Sequence, residues 1–250
     1  MKRPGFLVFL LFSWMNLMGK CANRGLYVFP SEKMILKNTL IMIEGYAISQ
    51  DIVTGLEDKY PAYLVCKKQK IKLKVKEVFV GQFRLTQAVL VPETELTPGK
   101  KYRLEIENLP REEFIGRWNK DLRQFEPVVY EVADASDTSK PEFISAPSEV
   151  KKSLVHYGCG PAVFVHFECK AKDSSLFWVK TLVKSVSTGK ETVYCLKVLD
   201  GELKIGHGMC SGAFDFKEGE QYEIAFTLMD VSGNETPWPG GRIRFTRPEG

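Results

Sequence analysis

The sequence predicts an all-β protein with two tandem sandwich units behind an N-terminal export signal. The first observation is a repeat: "LTPGKKYRLEI" at 96–106 has the same skeleton as "FKEGEQYEIAF" at 216–226. In both copies an apolar residue, a Gly and a Tyr stand three residues apart, and alternating apolar residues follow. Gly permits the positive φ of a tight turn, and period-two alternation is typical of a half-buried strand. The second observation is that β-rich segments separated by Gly, Pro and Asp fill most of the remaining chain.

Each copy of the repeat is followed by the same order of elements. A segment with a Trp comes next, Trp118 in the first copy and Trp238 in the second. A closing strand with alternating apolar residues then follows at 127–132 and at 242–246. The repeat therefore indicates a duplicated unit rather than two unrelated turns.

A linker separates the two units. The stretch "ADASDTSK" at 133–140 is small and polar and precedes a proline, which is the composition of an interdomain linker. We predict domains at 22–132 and 141–250 and expect each domain to fold around its own core. Domains of about 110 residues are common among β-sandwiches.

Both units resemble the bacterial immunoglobulin-like domains of secreted and surface proteins. The resemblance rests on L-x-P-G-x-x-Y followed by alternating apolar residues, and on "DVSGNETPW" at 230–238 before the last strand. It implies two tandem immunoglobulin-like β-sandwiches, with Tyr102 and Tyr222 forming tyrosine corners whose hydroxyls bond to upstream main chain. It also implies that Trp178 is the core Trp of the third strand.

The sequence departs from the antibody-type pattern at the second Cys. That pattern places a Cys two residues after the corner tyrosine, where this chain has Leu104 and Ile224. The inter-sheet disulfide of that form is therefore not expected, and the implied cell-surface recognition is weaker.

The N-terminus predicts export. Lys2 and Arg3 precede an apolar run at 6–18 that is too short for a membrane span, which is typical of a secretory signal peptide. We predict a signal at 1–21, with cleavage after Gly19 or after Cys21. The alternative is a lipoprotein signal in which Cys21 carries the lipid, although Lys20 departs from the small residue usual there. The predicted location is the periplasm, the outer surface or the extracellular space, with membrane attachment only through such a lipid.

The net charge argues against nucleic acid as a partner. The whole chain carries +4, which becomes +2 when Lys2 and Arg3 leave and +1 if Lys20 leaves as well. A nearly neutral protein lacks the general attraction that polyphosphate binding requires.

Cysteine positions predict disulfides in the second unit. In an oxidising compartment four cysteines in one domain favour two disulfides with three possible pairings; these are Cys159, Cys169, Cys195 and Cys210. The immunoglobulin-like strand order favours Cys169 with Cys210, and Cys159 with Cys195. Cys21 and Cys66 pair if Cys21 is retained without lipid; otherwise Cys66 is a lone buried thiol.

One short motif suggests metal chemistry. In "IGHGMCSG", His207 and Met209 lie two residues apart and would share a strand face, and imidazole and thioether are copper ligands. His156 and His166 could complete such a site. The competing interpretation places His207 in a Gly-rich turn and Met209 in the core, and on that basis we predict no metal and no cofactor.

Catalytic motifs are missing from the sequence. It contains no G-x-S-x-G, H-E-x-x-H, G-x-x-x-x-G-K or strand-linked G-x-G-x-x-G. Cys159 near His156 and His166 could form a thiol nucleophile, but a disulfide half explains it better. We therefore predict an exported, non-catalytic envelope or extracellular module for binding or structural spacing. A periplasmic copper binder is the first alternative and an enzyme of unknown class the second.

A lysine stripe suggests one class of partner. In "KKQKIKLKVKEV" the apolar residues alternate with lysines that would share a solvent face; these are Lys70, Lys72, Lys74 and Lys76. The stripe either protects an edge or outer strand from pairing or binds an anionic polymer such as a surface polysaccharide or lipid head groups. The predicted partners are such an anionic surface polymer or another envelope protein.

Only one segment has helical spacing. It is "EEFIGRWNKDLRQF", where the spaced residues are Phe114, Ile115, Trp118, Leu122 and Phe125. The spacing allows one short helix or a hydrophobic loop that covers the core.

Overall fold

The computed structural model describes residues 21–249. Their regular structure consists of twenty strands and one helix of five residues, so the all-β prediction is confirmed. Of the predicted signal peptide, residues 1–20 lie outside the described residues. The immunoglobulin-like identity of each unit and the domain boundaries stay predictions.

The first unit contains ten strands and the helix. In chain order these are β1 (Arg24–Phe29), β2 (Met34–Ile35), β3 (Ile41–Ala47), α1 (Gln50–Thr54), β4 (Ala62–Cys66), β5 (Gln69–Val80), β6 (Leu85–Pro92), β7 (Lys101–Ile106), β8 (Arg117–Asn119), β9 (Gln124–Glu126) and β10 (Val129–Val132).

Eight of these strands form one sheet in the order β1-β3-β6-β5-β4-β7-β10-β2. The long strand β5 pairs with β4 through its first half and with β6 through its second half, the partner changes at Leu73, and a bulge between Val75 and Glu77 lies within the part paired with β6. Such a bulge bends a strand and increases its twist. Residues from both ends of the sheet, such as Ile43 on β3 and Leu104 on β7, belong to one buried cluster. The sheet is therefore folded over its own core.

The second unit contains the other ten strands. They are β11 (Glu142–Phe143), β12 (Ser148–Tyr157), β13 (Gly160–Glu168), β14 (Ala171–Lys172), β15 (Phe177–Ser185), β16 (Glu191–Leu196), β17 (Glu202–His207), β18 (Gln221–Asp230), β19 (Glu235–Pro237) and β20 (Ile243–Thr246). A three-stranded sheet β12-β13-β17 and a five-stranded sheet β16-β15-β18-β19, with β20 also on β18, share a core that includes Val165 and Phe226.

The repeated motif folds in the same way in both units. Gly99 and Gly219 have φ of 71° and 74°, as the turn requires. The Tyr102 hydroxyl accepts a hydrogen bond from the Thr97 N–H at 3.3 Å, and the Tyr222 hydroxyl accepts one from the N–H five residues upstream at 2.8 Å. The predicted hydrogen bonds of both tyrosines are thus confirmed.

The two units share buried surface. The cluster at the core of the second unit also contains four residues of the first unit, which are Leu40, Met42, Phe79 and Val89. They alternate with residues that face the first core, so β3 and β6 are buried on both faces. A strand covered on both faces reads as a continuous apolar run, and "LIMI" at 40–43 is such a run.

The segment with helical spacing is not a helix. It forms a hairpin in which β8 pairs with β9 and Trp118 stands directly opposite Phe125. The Asn119 side chain accepts hydrogen bonds from the Asp121 and Leu122 N–H groups, each at 3.0 Å, and so stabilises the turn. Side chains that are spaced for one helix face also meet across a short hairpin, which is why the spacing was ambiguous.

The disulfide prediction is wrong in its pairing. Cys210 is bonded to Cys21, with a Cα–Cα distance of 5.7 Å and a sequence separation of 189. Cys169 and Cys195 are buried thiols, so the predicted pairs Cys169–Cys210 and Cys159–Cys195 are not formed. Counting cysteines within one unit fails here because the start of the described chain is bonded to the loop after β17.

The same disulfide also bears on the alternatives predicted for Cys21 and Cys66. A lipid on Cys21 would occupy the sulfur that bonds to Cys210, so lipidation and this disulfide exclude each other. Cys66 is a half-buried thiol at the end of β4 and is not bonded to Cys21. Cleavage after Cys21 would remove one half of the disulfide, whereas cleavage after Gly19 would keep it.

Candidate functional site

A cluster of exposed apolar side chains lies on the β8–β9 hairpin, residues 114–126, which we call the aromatic hairpin. Four of its large side chains are about half exposed or more; these are Phe114, Trp118, Leu122 and Phe125. The Phe125 ring makes edge contacts with Phe114 at 4.8 Å and with Trp118 at 5.1 Å. Clustered exposed apolar side chains of this kind mark interaction sites.

A cleft of about 550 Å³ lies beside the aromatic hairpin. Three cationic and two acidic side chains line it together with Phe125; they are Lys33, Lys101, Arg117, Glu126 and Glu131. Lys101 is 3.2 Å from Glu131, and Glu126 accepts a hydrogen bond from Asn119 at 2.9 Å. The cleft therefore combines one aromatic side chain, Phe125, with hydrogen-bonding groups and a small excess of positive charge.

Arg117 connects the hairpin to the rest of the first unit. Its guanidinium donates to the Glu32 carbonyl oxygen at 3.2 Å and lies over the Tyr130 ring at 5.3 Å. Its buried Nε has no hydrogen-bond partner among the described residues. The Arg117 guanidinium therefore both lines the cleft and holds the base of the hairpin in place.

The predicted lysine stripe lies on β5. Although β5 stands between β6 and β4 in the sheet order, β4 pairs with residues 69–73 and β6 with residues 73–80, so each half of β5 has a strand partner on one side only and the edge or outer-strand interpretation stays a prediction. Lys70 pairs with Glu107 and lies over the Tyr63 ring at 3.9 Å, and Lys74 is 3.0 Å from Glu93. Carboxylates thus compensate two of the four charges, and the stripe as an anionic-ligand face stays a prediction.

The candidate copper ligands do not converge around His207. Its Nδ1 contacts the Gly208 carbonyl oxygen at 2.9 Å, its Nε2 is 3.5 Å from Asp215, and its ring packs on Phe83. His166 is engaged elsewhere, between two other side chains of the β12-β13-β17 sheet. Met209 lies in the loop that follows β17.

Within residues 21–249, one group of three or more His, Cys, Asp or Glu side chains is close enough to share a cation: Asp137, Asp173 and Asp230, whose ligand atoms lie within 4.8 Å of one another. Hydrogen bonds from Ser139 lower the pKa of Asp137, whereas burial raises the pKa of Asp230. The Asp137 carboxylate accepts a hydrogen bond from the Ser174 hydroxyl, the Asp230 carboxylate accepts one from the Asn234 N–H, and the Asp137 main-chain carbonyl oxygen accepts one from the Asn234 side-chain amide, which fixes the linker to the second unit. We assign no ligand to this cluster.

The sequence analysis did not identify the aromatic hairpin as a surface. Its apolar residues were expected to cover the core, and their period alone could not separate a helix from a hairpin. The signal that could have distinguished them is "NKDLR" at 119–123, because Asn and Asp are frequent in turns.

No family model matches the chain, and no curated protein matches it. Among solved structures, it is similar to a pullulanase complexed with maltotriose from Anoxybacillus sp. LM18-11, at 12% identity over 82% of this chain and 25% of that chain, with a TM-score of 0.25. A DUF4785 family protein from Legionella pneumophila has 9% identity over 92% of this chain and 58% of that chain, with a TM-score of 0.24.

The N-terminal part of the bacterial S-layer protein SbsC is also similar, at 14% identity over 90% of this chain and 44% of that chain, with a TM-score of 0.24. The chain thus spans between a quarter and three fifths of the length of these three proteins. A search of residues 21–249 for a helix long and apolar enough to cross a membrane finds none.

Proposed function

We propose that this protein is an exported binding module and that it binds an anionic surface polysaccharide with the aromatic hairpin and the adjoining cleft. The observation that carries the proposal is the exposure of Trp118 and Phe125, at 49% and 55%, beside a cleft with more cations than carboxylates. Aromatic rings stack on the apolar C–H faces of sugar rings. Cations at the same site attract the acidic groups of the polymer.

Export is supported by the residues themselves. The apolar run at 6–18 after Lys2 and Arg3 has the form of a signal peptide, and the Cys21–Cys210 disulfide needs an oxidising compartment to persist.

Affinity gel electrophoresis tests the binding. We expect polygalacturonate in the gel to retard the protein, neutral dextran to have no effect, and added salt to weaken the retardation because it screens the charges. Trp118→Ala and Phe125→Ala should each weaken binding about tenfold, which corresponds to about 1.4 kcal/mol. Tyr157→Ala, which removes an exposed aromatic from the second unit, is the matched control.

The lysine stripe provides the competing location for the same ligand. If replacing all four stripe lysines by Gln abolishes retardation while the two aromatic variants retain it, the hairpin is the wrong site. If no acidic polymer retards the parent protein at low salt, the binding proposal itself fails.

A further inference from the structure

His166 stands between a hydroxyl and a carboxylate on the outer face of the β12-β13-β17 sheet. Its Nε2 is 3.0 Å from Ser153 Oγ, and its Nδ1 is 3.2 Å from Glu202 Oε2. Strand register explains the arrangement. His166 is directly opposite Lys151 on β12 and Lys204 on β17, so Ser153 and Glu202 are its diagonal neighbours on the two sides.

The hydrogen bonds define the protonation of the imidazole. A carboxylate can only accept, so the contact with Glu202 places the proton on Nδ1. In the neutral ring Nε2 is then the acceptor, and Ser153 donates its hydroxyl proton to it. This is the order of nucleophile, base and orienting acid that acyl-transfer enzymes use.

We propose that Ser153, His166 and Glu202 form a hydrolytic site for short-chain carboxylic esters. This inference is independent of polysaccharide binding, and it opposes the expectation that the module is non-catalytic. The catalytic motifs sought in the sequence could not reveal it, because these three residues meet only through the strand register.

The environment of His166 suits a general base. It is 4% exposed, and burial lowers the pKa of His166 below its ordinary value of 6.5. The charges of Lys151 on β12 and Lys204 on β17 lower it further, whereas Glu202 acts in the opposite direction. The ring is therefore neutral at pH 7 and can accept a proton, while Ser153 remains partly exposed to substrate.

A cavity lies beside the site and is lined by cross-strand neighbours of the three residues rather than by Ser153, His166 or Glu202 themselves. It has a volume of about 230 Å³ and is lined by Phe164, which is opposite Ser153, and by Lys204, which is opposite His166. Apolar side chains including Phe29 and Met42 form other parts of the wall, together with the charged side chains of Glu44 and Lys197. The size and the apolar part of the wall suit a short acyl chain, and the Lys204 ammonium group favours the negative charge that develops on the carbonyl oxygen, whereas Lys151 lies 3.9 Å from Glu202.

The reaction balances with water as the second substrate. Ser153 Oγ attacks the carbonyl carbon while its proton moves to His166 Nε2, and the imidazolium is stabilised by Glu202. The carbon–oxygen bond to the alcohol then breaks, and the alcohol leaves with that proton. Water attacks the acyl-serine in the same way, releases the carboxylic acid and returns the proton to Ser153.

The test uses the folded, disulfide-bonded protein with p-nitrophenyl acetate and p-nitrophenyl butyrate, and with a fluorophosphonate probe that labels activated serines. We expect the probe to modify Ser153 and ester hydrolysis to rise with pH as His166 loses its proton. His166→Gln should lower the rate about 100-fold or more, and Ser153→Ala should remove the label. Glu202→Gln should lower the rate and shift the pH profile.

Ser148→Ala is the matched control, since Ser148 is an exposed serine on the same strand. It should change neither rate nor label. Mapping the label on the parent protein by mass spectrometry needs no variant. It therefore shows whether Ser153 is the modified residue even if a variant fails to fold. Labelling of Ser148 to the same extent as Ser153, a rate equal to that of the heat-unfolded protein, or an unchanged rate in His166→Gln would each overturn the proposal.

Discussion

The side-chain amide of Gln87 hydrogen-bonds both main-chain groups of Cys195. Its Nε2 donates to the carbonyl oxygen at 3.0 Å, and its Oε1 accepts from the N–H at 3.1 Å. Gln87 lies on β6 of the first unit and Cys195 on the edge strand β16 of the second. The amide thus pairs with a buried strand edge as a neighbouring strand would, and it fixes the two units to each other.

Gln87→Ala should destabilise the protein by about 2 kcal/mol or more, because it leaves a buried donor and a buried acceptor of Cys195 without partners. Urea unfolding followed by circular dichroism measures the change. Gln221→Ala, on an exposed position of β18, is the matched control and should stay within about 0.5 kcal/mol of the parent. Equal stabilities of the two variants would show that the amide does not stabilise the interface.

Glu44 should make stability depend on pH. It accepts hydrogen bonds from Tyr194 at 2.9 Å and from Gln87 at 2.8 Å. Burial at the interface raises the pKa of Glu44 above its ordinary value of 4.5, although these hydrogen bonds and the charge of Lys197 act in the opposite direction. The folded state therefore binds the proton more tightly than the unfolded state, and stability falls as pH rises from about 4.5 through the folded pKa.

Glu44→Gln removes this titration. The free energy of unfolding of the variant, relative to that of the parent, should increase as pH rises. The increase is at most about 1.4 kcal/mol per pH unit between the unfolded-state and the folded-state pKa of Glu44. Urea unfolding at several pH values from 4 to 8 measures the difference. Parallel curves for parent and variant would contradict the raised pKa.

Reduction of Cys21–Cys210 should destabilise the whole protein rather than the second unit alone, because the bond joins the start of the described chain to the second unit. For a separation of 189 the loop-entropy estimate is roughly 5 kcal/mol at most. Thermal unfolding with and without reductant tests this. The double variant Cys21→Ser/Cys210→Ser should match the reduced parent and should not respond to reductant.

The mass of the exported protein distinguishes the two cleavage sites. Cleavage after Gly19 retains Cys21 and gives a non-reduced peptide that joins residues 21 and 210. If the mature chain begins at residue 22, or if Cys210 is found bonded to another cysteine, the disulfide described here does not form in the exported protein.

Separation at the linker should weaken both halves. A cut after residue 136 would expose Met42 and Val89 on the first unit and their neighbours on the second, and each fully buried aliphatic side chain contributes about 1.5–3 kcal/mol. We expect each fragment to unfold at a lower temperature than the intact chain, and mixing them to recover part of the loss. Fragments as stable as the parent would show that the shared cluster contributes little.

The corner tyrosines allow a paired comparison. Tyr222→Phe and Tyr102→Phe each remove one hydroxyl that accepts a main-chain N–H, at 2.8 and 3.3 Å respectively. Each should cost about 1 kcal/mol, with the larger loss at Tyr222 because its bond is shorter. Chemical unfolding measures both, and Tyr157→Phe on the exposed end of β12 is the control. A larger loss at Tyr102 would contradict the ranking.

What the sequence by itself determined is the local structure, because its causes lie within a few residues. Alternating apolar residues indicated strands, Gly99 and Gly219 indicated turns, and each corner tyrosine bonds to main chain five residues away. The dipeptide Asp200-Gly201 is typical of a two-residue hairpin turn, and its φ values of 53° and 78° fit such a turn.

Only the tertiary structure decided which distant residues meet. The Cys21–Cys210 bond spans 189 residues, and Ser153, His166 and Glu202 approach one another only after three strands pair in register. A one-residue shift in either pairing would turn these side chains to opposite faces of the sheet. Local patterns restrict what each segment becomes, whereas pairing between segments depends on burial and register across the whole chain, and no single segment encodes these.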